Sequence, residues 1–416
     1  MIEFLVYYQL SNGKYRTYNY LSKEYKTINI LPTDISNFYI PKNKKFKMLG
    51  NDEGLKTYAE KLYDSRTSLL KYCKFDYILG ALNKETNKRS IRTHNKAIEA
   101  FFYIHRNKKE YNNFEPISNE ECELIDLLNK GYMAYIEKGQ HNIFEYDYKG
   151  FYQSCLTDDE FYLVKNEGKY KNLKKLPEQL SIGFYFVKIE CDNPEFKKLF
   201  MFNKNNLYTK FDLLIARKHQ EEFDVKIEFT KEKNNAYVYE VKKDCIKSKS
   251  MFNDWADELN RLKSIDKLKD NILLKGLSSQ LSGHLRKKIK YTMTEEQVDD
   301  LNEKNKISFD NSREYQIINI IKNGDKDIYR VINTNKQYFY PFRMCFLISF
   351  GRMKIAELAY KMGLENIKRI CCDGICTTKE FDFEKENKNN HYKLVLDKQG
   401  LYELDTINQP IKIISC

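Results

Sequence analysis

The chain has 416 residues, 42% of them hydrophobic and 14% aromatic, which excludes a disordered chain and allows two or three domains or one multi-lobed body. Lys and Arg number 71 against 59 Asp and Glu, a formal +12 that favours an anionic partner such as nucleic acid, although an AT-rich coding sequence gives the same abundance of Lys, Asn, Ile and Tyr without any function. Ten cysteines with no Cys-x-x-Cys pair exclude a zinc ribbon and a secreted disulfide framework.

The start, MIEFLVYYQL, lacks the basic stretch and cleavage site of a signal peptide. No apolar run approaches the roughly 18 to 20 residues that span a bilayer. A soluble, intracellular protein with reduced thiols and no membrane contact is expected. Residues 1 to about 50 alternate in short segments broken by Pro32 and Pro41 and read as β-rich. From Leu55 to about Arg106 the period is helical, with Tyr58, Leu62, Leu69, Tyr72 and Asp76 recurring at three, four or seven residues. A polar linker, NKKEYNNFEP, precedes a helix around Ile125 to Tyr132. HNIFEYDYKGFYQSCL then begins as a strand and ends as a helix start.

Strands are expected in IGFYFVKIEC and NNAYVYEVKKDC, around a helix near Leu213 to Glu222. A long helix runs from about Phe252 to Ile289, interrupted at Ser282-Gly283. The polar segment from about Tyr291 to Tyr340 reads as an insertion with its own small sheet. A helix from about Pro341 to Met362 leads into IKRICCDGICTT, residues 367–378, where Asp373-Gly374 is a two-residue hairpin turn signal. There is no internal repeat, and the order of elements suggests an α+β fold.

That hairpin carries an aspartate, and chemistry by two metal ions needs carboxylates from separate strands, placed so that the ions sit about 3.5 to 4 Å apart. Asp147, at the end of an apolar strand before Gly150, is the candidate partner of Asp373. As a lone residue it also reads as a helix cap, just as Asp373 also reads as a plain turn residue. Lys263, Lys267 and Lys275 recur at multiples of four and would line one face of the long helix. Such a run is often only a solvated face. Here small residues follow it, Gly276, Ser278, Ser279, Ser282 and Gly283, which let a triphosphate approach closely.

In order and register, three stretches resemble the polymerase motifs of family B DNA polymerases, specifically the viral and organellar, protein-primed-like branch. The first motif there runs Asp, two residues, Ser-Leu-Tyr-Pro-Ser, against Asp147-Tyr148-Lys149-Gly150-Phe151-Tyr152-Gln153-Ser154 here. The second runs Lys, three residues, Asn-Ser-x-Tyr-Gly, against Lys275, then Ser279-Gln280-Leu281-Ser282-Gly283. The third centres on Asp-Thr-Asp, against Cys371-Cys372-Asp373-Gly374. The resemblance covers about residues 135 to 400.

It implies Asp147 and Asp373 as metal-binding catalytic carboxylates, with the Tyr148 carbonyl as a further ligand. Lys275, with Lys263 and Ser279 nearby, would meet the incoming triphosphate, and Tyr152 the sugar. It implies two Mg²⁺ ions (Mn²⁺ as a substitute), primer–template DNA and deoxynucleoside triphosphates as partners, and a terminal protein or other replication proteins besides. The order would be a degenerate exonuclease-like region at 1–110, a first palm part at 111–250, fingers at 251–290, an insertion at 291–340, and a second palm part at 341–416.

The sequence also departs from the pattern. Ser279, Gln280 and Ser282 replace the Asn-Ser and Tyr of the second motif, and Cys371 replaces the first aspartate of the third. Tyr72 to Asp76 resembles the third exonuclease motif, but no Asp-x-Glu precedes it, so proofreading is not expected. Only 43 residues (416 − 373) follow Asp373, which leaves little room for a thumb. The expected function is a DNA-directed DNA polymerase in viral, plasmid or mobile-element replication. Its rival is a catalytically decayed polymerase kept as a DNA-binding or replication-complex module, with a two-metal nuclease as a weaker third.

Overall fold

The computed structural model describes residues 3–9, 14–19, 24–29, 37–40, 94–129, 131–264, 272–310, 312–323, 326–334, 337–388, 391–407 and 411–412. The chain forms two compact units, one of residues 1–106 and 254–281, the other of 107–253 and 282–416. Helix and strand are both abundant, and the α+β class holds.

In the first unit the β-rich start is a four-stranded sheet, ordered Glu24–Ile28, Tyr15–Asn19, Glu3–Gln9, Asn37–Ile40, with the last pair parallel. A helix, His94–His105, buries Ile98, Phe101 and Phe102, and the helix Ile272–Ser279 packs against it. Tyr72 and Asp76, read as an exonuclease-like motif, lie outside the described residues.

The second unit is built on a six-stranded antiparallel sheet, ordered Ile411–Lys412, Lys393–Leu404, Gly139–Lys149, Gly374–Thr377, Ile367–Cys371, Ala134–Ile136. Strand Gly139–Lys149 therefore lies inside the sheet, and both of its faces are used. Tyr146 and Tyr148 are buried on one face. Ile143 and Glu145 are buried on the other, with Asp147 in line with them. Tyr148 stacks on Phe151 (centroids 5.4 Å apart, planes 8°) and Tyr392 closes over both.

Helix Cys345–Met362 is buried over most of its surface, with Lys354, Glu357 and Lys361 forming one polar stripe at helical spacing. It packs against helices Phe151–Thr157 and Lys210–Lys218. A second sheet runs Leu207–Thr209, Ile182–Glu190, Ala236–Tyr239, Lys169–Lys171, with Lys226–Phe229 also on Ile182–Glu190. Strands Tyr291–Thr294, Ile307–Ser308, Tyr315–Asn323 and Lys326–Asn333 form a four-stranded sheet that packs with helix Glu295–Glu303 around Val298, Ile307, Ile317 and Val331.

Two buried arginines tie these layers together. Arg343 makes a two-pronged pair with Glu121 (Nε–Oε1 3.1 Å, Nη2–Oε2 2.6 Å), and both side chains are fully buried. Arg352 pairs with Asp212 (2.8 Å) and donates to the carbonyl of Gly131 (2.8 Å).

Three expectations fail locally. The helix placed at Ile125 to Tyr132 is Asn119–Leu127, opened by a capping box between Ser118 and Glu121 and followed by chain whose carbonyls serve Arg352. The long helix is not continuous: Ser248–Ser264, Ile272–Ser279 and Leu281–Leu285 are separate helices, and Ser282-Gly283 sits inside the last rather than at a break. Lys263 and Lys275 therefore do not share one helix face, and Lys267 lies outside the described residues.

Candidate active site

The hairpin Ile367–Cys371/Gly374–Thr377 pairs Cys371 with Gly374, so its tip is Cys372-Asp373 and not Asp373-Gly374. Cys372 takes the positive φ, at 58°, a region uncommon for any residue but Gly, Asn and Asp. The shift has a spatial reason. Gly374 stands opposite Asp147 in the ladder, and a Cβ on it would lie 3.3 Å from Asp147 Oδ1. The glycine serves close approach here rather than turn geometry, since a side chain would make Asp147 shift by a few tenths of an ångström.

The same register carries the Tyr148 N–H onto the Asp373 carbonyl at 3.2 Å. Asp147, near the end of strand Gly139–Lys149, and Asp373, in the turn that enters the neighbouring strand Gly374–Thr377, thus lie next to one another along the chain pairing, both half-buried. Among the described residues no group of three or more His, Cys, Asp or Glu could hold a metal.

Behind Asp147 lies a charged row across four strands. Lys398, Glu145 and Cys376 are ladder neighbours, and Arg369 is paired with Cys376. The small Cys376 lets Arg369 reach over it to Glu145 (2.9 Å), while Lys398 takes the other carboxylate oxygen (2.6 Å). Arg369 and Glu145 are buried. The Cys372 thiol and Arg369 pull the Cys371 thiol down to about 6. Hydrogen bonding to Cys371 and burial push Cys372 up.

Tyr152 stands beside the hairpin tip. Burial, and after it Tyr132, Cys155, Cys372 and Asp373, hold its hydroxyl well above the usual range. Its ring is tilted against Tyr132 (centroids 5.4 Å) and edge-on to Phe151 (5.1 Å). The structure therefore brings together Asp147, Asp373, Tyr148 and Tyr152 in one unit. Lys263, at the end of Ser248–Ser264, and Lys275 and Ser279, on Ile272–Ser279, belong to the other unit. Burial lowers the affinity of Lys263 for its proton.

Tyr132, which carries no motif, also lies beside Tyr152, and Arg286, which carries none either, lies beside Tyr132. Arg286 Nη2 donates to the Tyr132 hydroxyl at 2.9 Å.

This arrangement of palm-like sheet, crossing helices and hairpin is a DNA-polymerase-like fold. The solved structures it is similar to include Phi29 DNA polymerase complexed with single-stranded DNA (TM-score 0.50, 12% identity, covering 79% of this chain and 55% of that one). Another is the same polymerase with primer-template DNA and incoming nucleotide substrates (0.50, 13%, 78% and 55%). A third is its post-translocation binary complex with primer-template DNA (0.52, 10%, 97% and 87%). In the first two matches this chain spans about 55% of the polymerase's length. No family model and no curated protein matches the chain. Among the described residues no helix is long and apolar enough to cross a membrane.

Proposed function

We propose that the chain is a DNA-directed DNA polymerase of the family B type, adding deoxynucleotides to a primer 3′-hydroxyl. The observation that carries the reading is the ladder register that sets Asp147 against Gly374 and hangs the Asp373 carbonyl on the Tyr148 N–H. One carboxylate near a strand end and one in the adjoining hairpin turn fit magnesium, which takes one or two protein carboxylates and completes its shell with substrate phosphates and water. Asp147, Asp373 and the Tyr148 carbonyl would hold it. Bound there, magnesium would activate the primer hydroxyl and stabilise the pyrophosphate.

The protein's own part is positional. The Tyr148–Phe151–Tyr392 stack fixes the strand end that carries Asp147. The Arg369–Glu145–Lys398 row stiffens the sheet beneath it, and the ring of Tyr152 would stand under the deoxyribose and exclude a 2′-hydroxyl. Lys275, with Lys263 and Ser279, would meet the triphosphate. Primer–template DNA and deoxynucleoside triphosphates are the partners this reading needs. A terminal protein would be a further one, and replication of viral, plasmid or mobile-element DNA the setting.

The second reading, a decayed polymerase kept for binding DNA, is favoured by Ser279, Gln280 and Ser282 in the second motif. Primer extension with purified protein, Mg²⁺ and deoxynucleotides separates the two. Asp147→Ala and Asp373→Ala should each lower incorporation by at least about 10²–10³, the cost of removing one charge-stabilising group, with an unchanged circular dichroism spectrum. Wild-type protein that binds DNA without extending a primer would establish the second reading. Either variant extending at the wild-type rate would overturn the assignment of that carboxylate.

A further inference from the structure

Tyr152 is clamped from two directions. A Cβ on Gly351, on helix Cys345–Met362, would lie 3.2 Å from Tyr152 Cε1 and 3.1 Å from Phe151 Cε1, so the helix backbone presses on the ring from one side. Tyr132 presses from another, its ring tilted 53° to that of Tyr152. Tyr132 is itself held at both ends. Its neighbour Gly131 accepts from Arg352, which is buried and pinned on Asp212. Its hydroxyl accepts from Arg286 at 2.9 Å, and the same guanidinium sits 5.5 Å from its ring centroid.

Arg286 follows helix Leu281–Leu285 directly. In that helix Ser282 is buried, short and without a ring, and a Cβ on Gly283 would meet nothing within 4 Å. The helix therefore contributes no aromatic surface at Ser282. It contributes a guanidinium that orients an aromatic ring from a different segment.

We propose that Tyr132 is a second wall of the nucleotide pocket, beside Tyr152, and that Arg286 is its positioning residue. Sugar selection then depends on Arg286 although Arg286 does not touch the sugar. The inference rests on the polymerase reading and extends it to residues that carry no motif. A charge-assisted hydrogen bond that orients a ring governs how tightly substrate is held and which sugar fits more than it governs the chemical step, so its loss should appear chiefly in KM.

The test uses the full chain with Arg286→Ala, Arg286→Lys, Tyr132→Phe, the Arg286→Ala/Tyr132→Phe double variant, and Tyr152→Ala. Each is bound to a primer–template with a dideoxy-terminated primer and titrated with the matched dNTP and rNTP in Mg²⁺. The same variants are then run in primer extension for kcat and KM. Arg286→Ala and Tyr132→Phe should each lower the deoxy-over-ribo preference about tenfold with kcat nearly unchanged. Arg286→Lys should recover part of the preference, and the double variant should be no worse than either single one, because both break one contact.

Arg286→Lys and Tyr132→Phe keep size and shape, so melting curves separate loss of fold from loss of selection. An unchanged preference in Arg286→Ala and Tyr132→Phe, with Tyr152→Ala relaxed, overturns this inference and leaves the sugar wall standing. An unchanged preference in Tyr152→Ala, or no nucleotide binding by wild type, overturns the underlying reading and this inference with it.

Discussion

Replacing Gly374 by alanine places one methyl group against one carboxylate. The added carbon would sit 3.3 Å from Asp147 Oδ1, whereas its next neighbours, the carbonyls of Cys371 and Tyr146, stay at 3.6 and 3.7 Å. Only the carboxylate must give way, by about a few tenths of an ångström. Gly374 is not among the described glycines with positive φ, so alanine is accepted by the backbone and by itself stabilises by about 0.4–1 kcal/mol through the unfolded chain. A misplacement of 1 Å in an active site costs about 10²-fold, so the smaller shift should cost roughly three- to tenfold in kcat. The KM for deoxynucleotide should barely move, and the melting temperature should not fall. Single-turnover primer extension over a Mg²⁺ titration, with thermal melting by circular dichroism, measures all of this. An unchanged kcat and unchanged Mg²⁺ dependence would show that Asp147 is not at the reacting centre. A loss as large as that of Asp147→Ala, together with a lower melting temperature, would show that the hairpin does not hold the register described.

The sequence made the hairpin legible through two short apolar runs around Asp-Gly, yet misplaced its tip by one residue. As a conformational signal, Asp-Gly suits a turn with positive φ. The glycine instead answers a steric demand set by Asp147, more than two hundred residues earlier, and Cys372 absorbs the positive φ. Local propensity carries no information about such a demand. The pairing of Asp147 with Asp373 was legible because each sits in its own motif. Tyr132 and Arg286 were not, because their contact exists only after residues 154 apart are folded together.

Periodicity failed in a related way at the lysines. Spacing by multiples of four defines one face only while the helix is unbroken, and the helices ending at Ser264 and Ser279 are distinct. At the helix Asn119–Leu127 a usable signal was present. Ser118 and Glu121 form the S-x-x-E capping box that marks a helix start, and it lies upstream of Ile125, where the expected helix begins.

DNA binding should weaken steeply with salt, by a slope of about −0.9 in log K against log salt for each duplex phosphate neutralised; a flat response would mean that the +12 charge reflects coding bias. Arg369→Ala should destabilise the protein by about 3–5 kcal/mol, because buried Glu145 loses the partner that reaches it over Cys376; an unfolding midpoint equal to wild type would show that Lys398 alone satisfies it. Glu121→Gln tests the other buried ion pair, and there the atoms argue in detail. Glu121 accepts from Arg343 Nε and Nη2, from the Tyr239 hydroxyl at 2.7 Å, and from the Ser118 N–H at 3.0 Å. All its partners are donors, so the amide nitrogen of glutamine must face a donor whichever way the group turns. The Arg343 charge would then rest on neutral oxygens alone, that of the glutamine amide and the carbonyls of Glu115, Pro116 and Pro341, inside a site that water does not reach. Breaking a buried pair from one side costs about 3–5 kcal/mol, whereas replacing both partners by apolar groups of similar volume is often neutral or stabilising by about 1–4 kcal/mol. Glu121→Gln should therefore be far less stable than wild type in urea, followed by circular dichroism, and Glu121→Met/Arg343→Met should recover most of the loss. A Glu121→Gln cost below about 1 kcal/mol, the range of exposed ion pairs, would show that the pair is hydrated and does not tie the two segments as described.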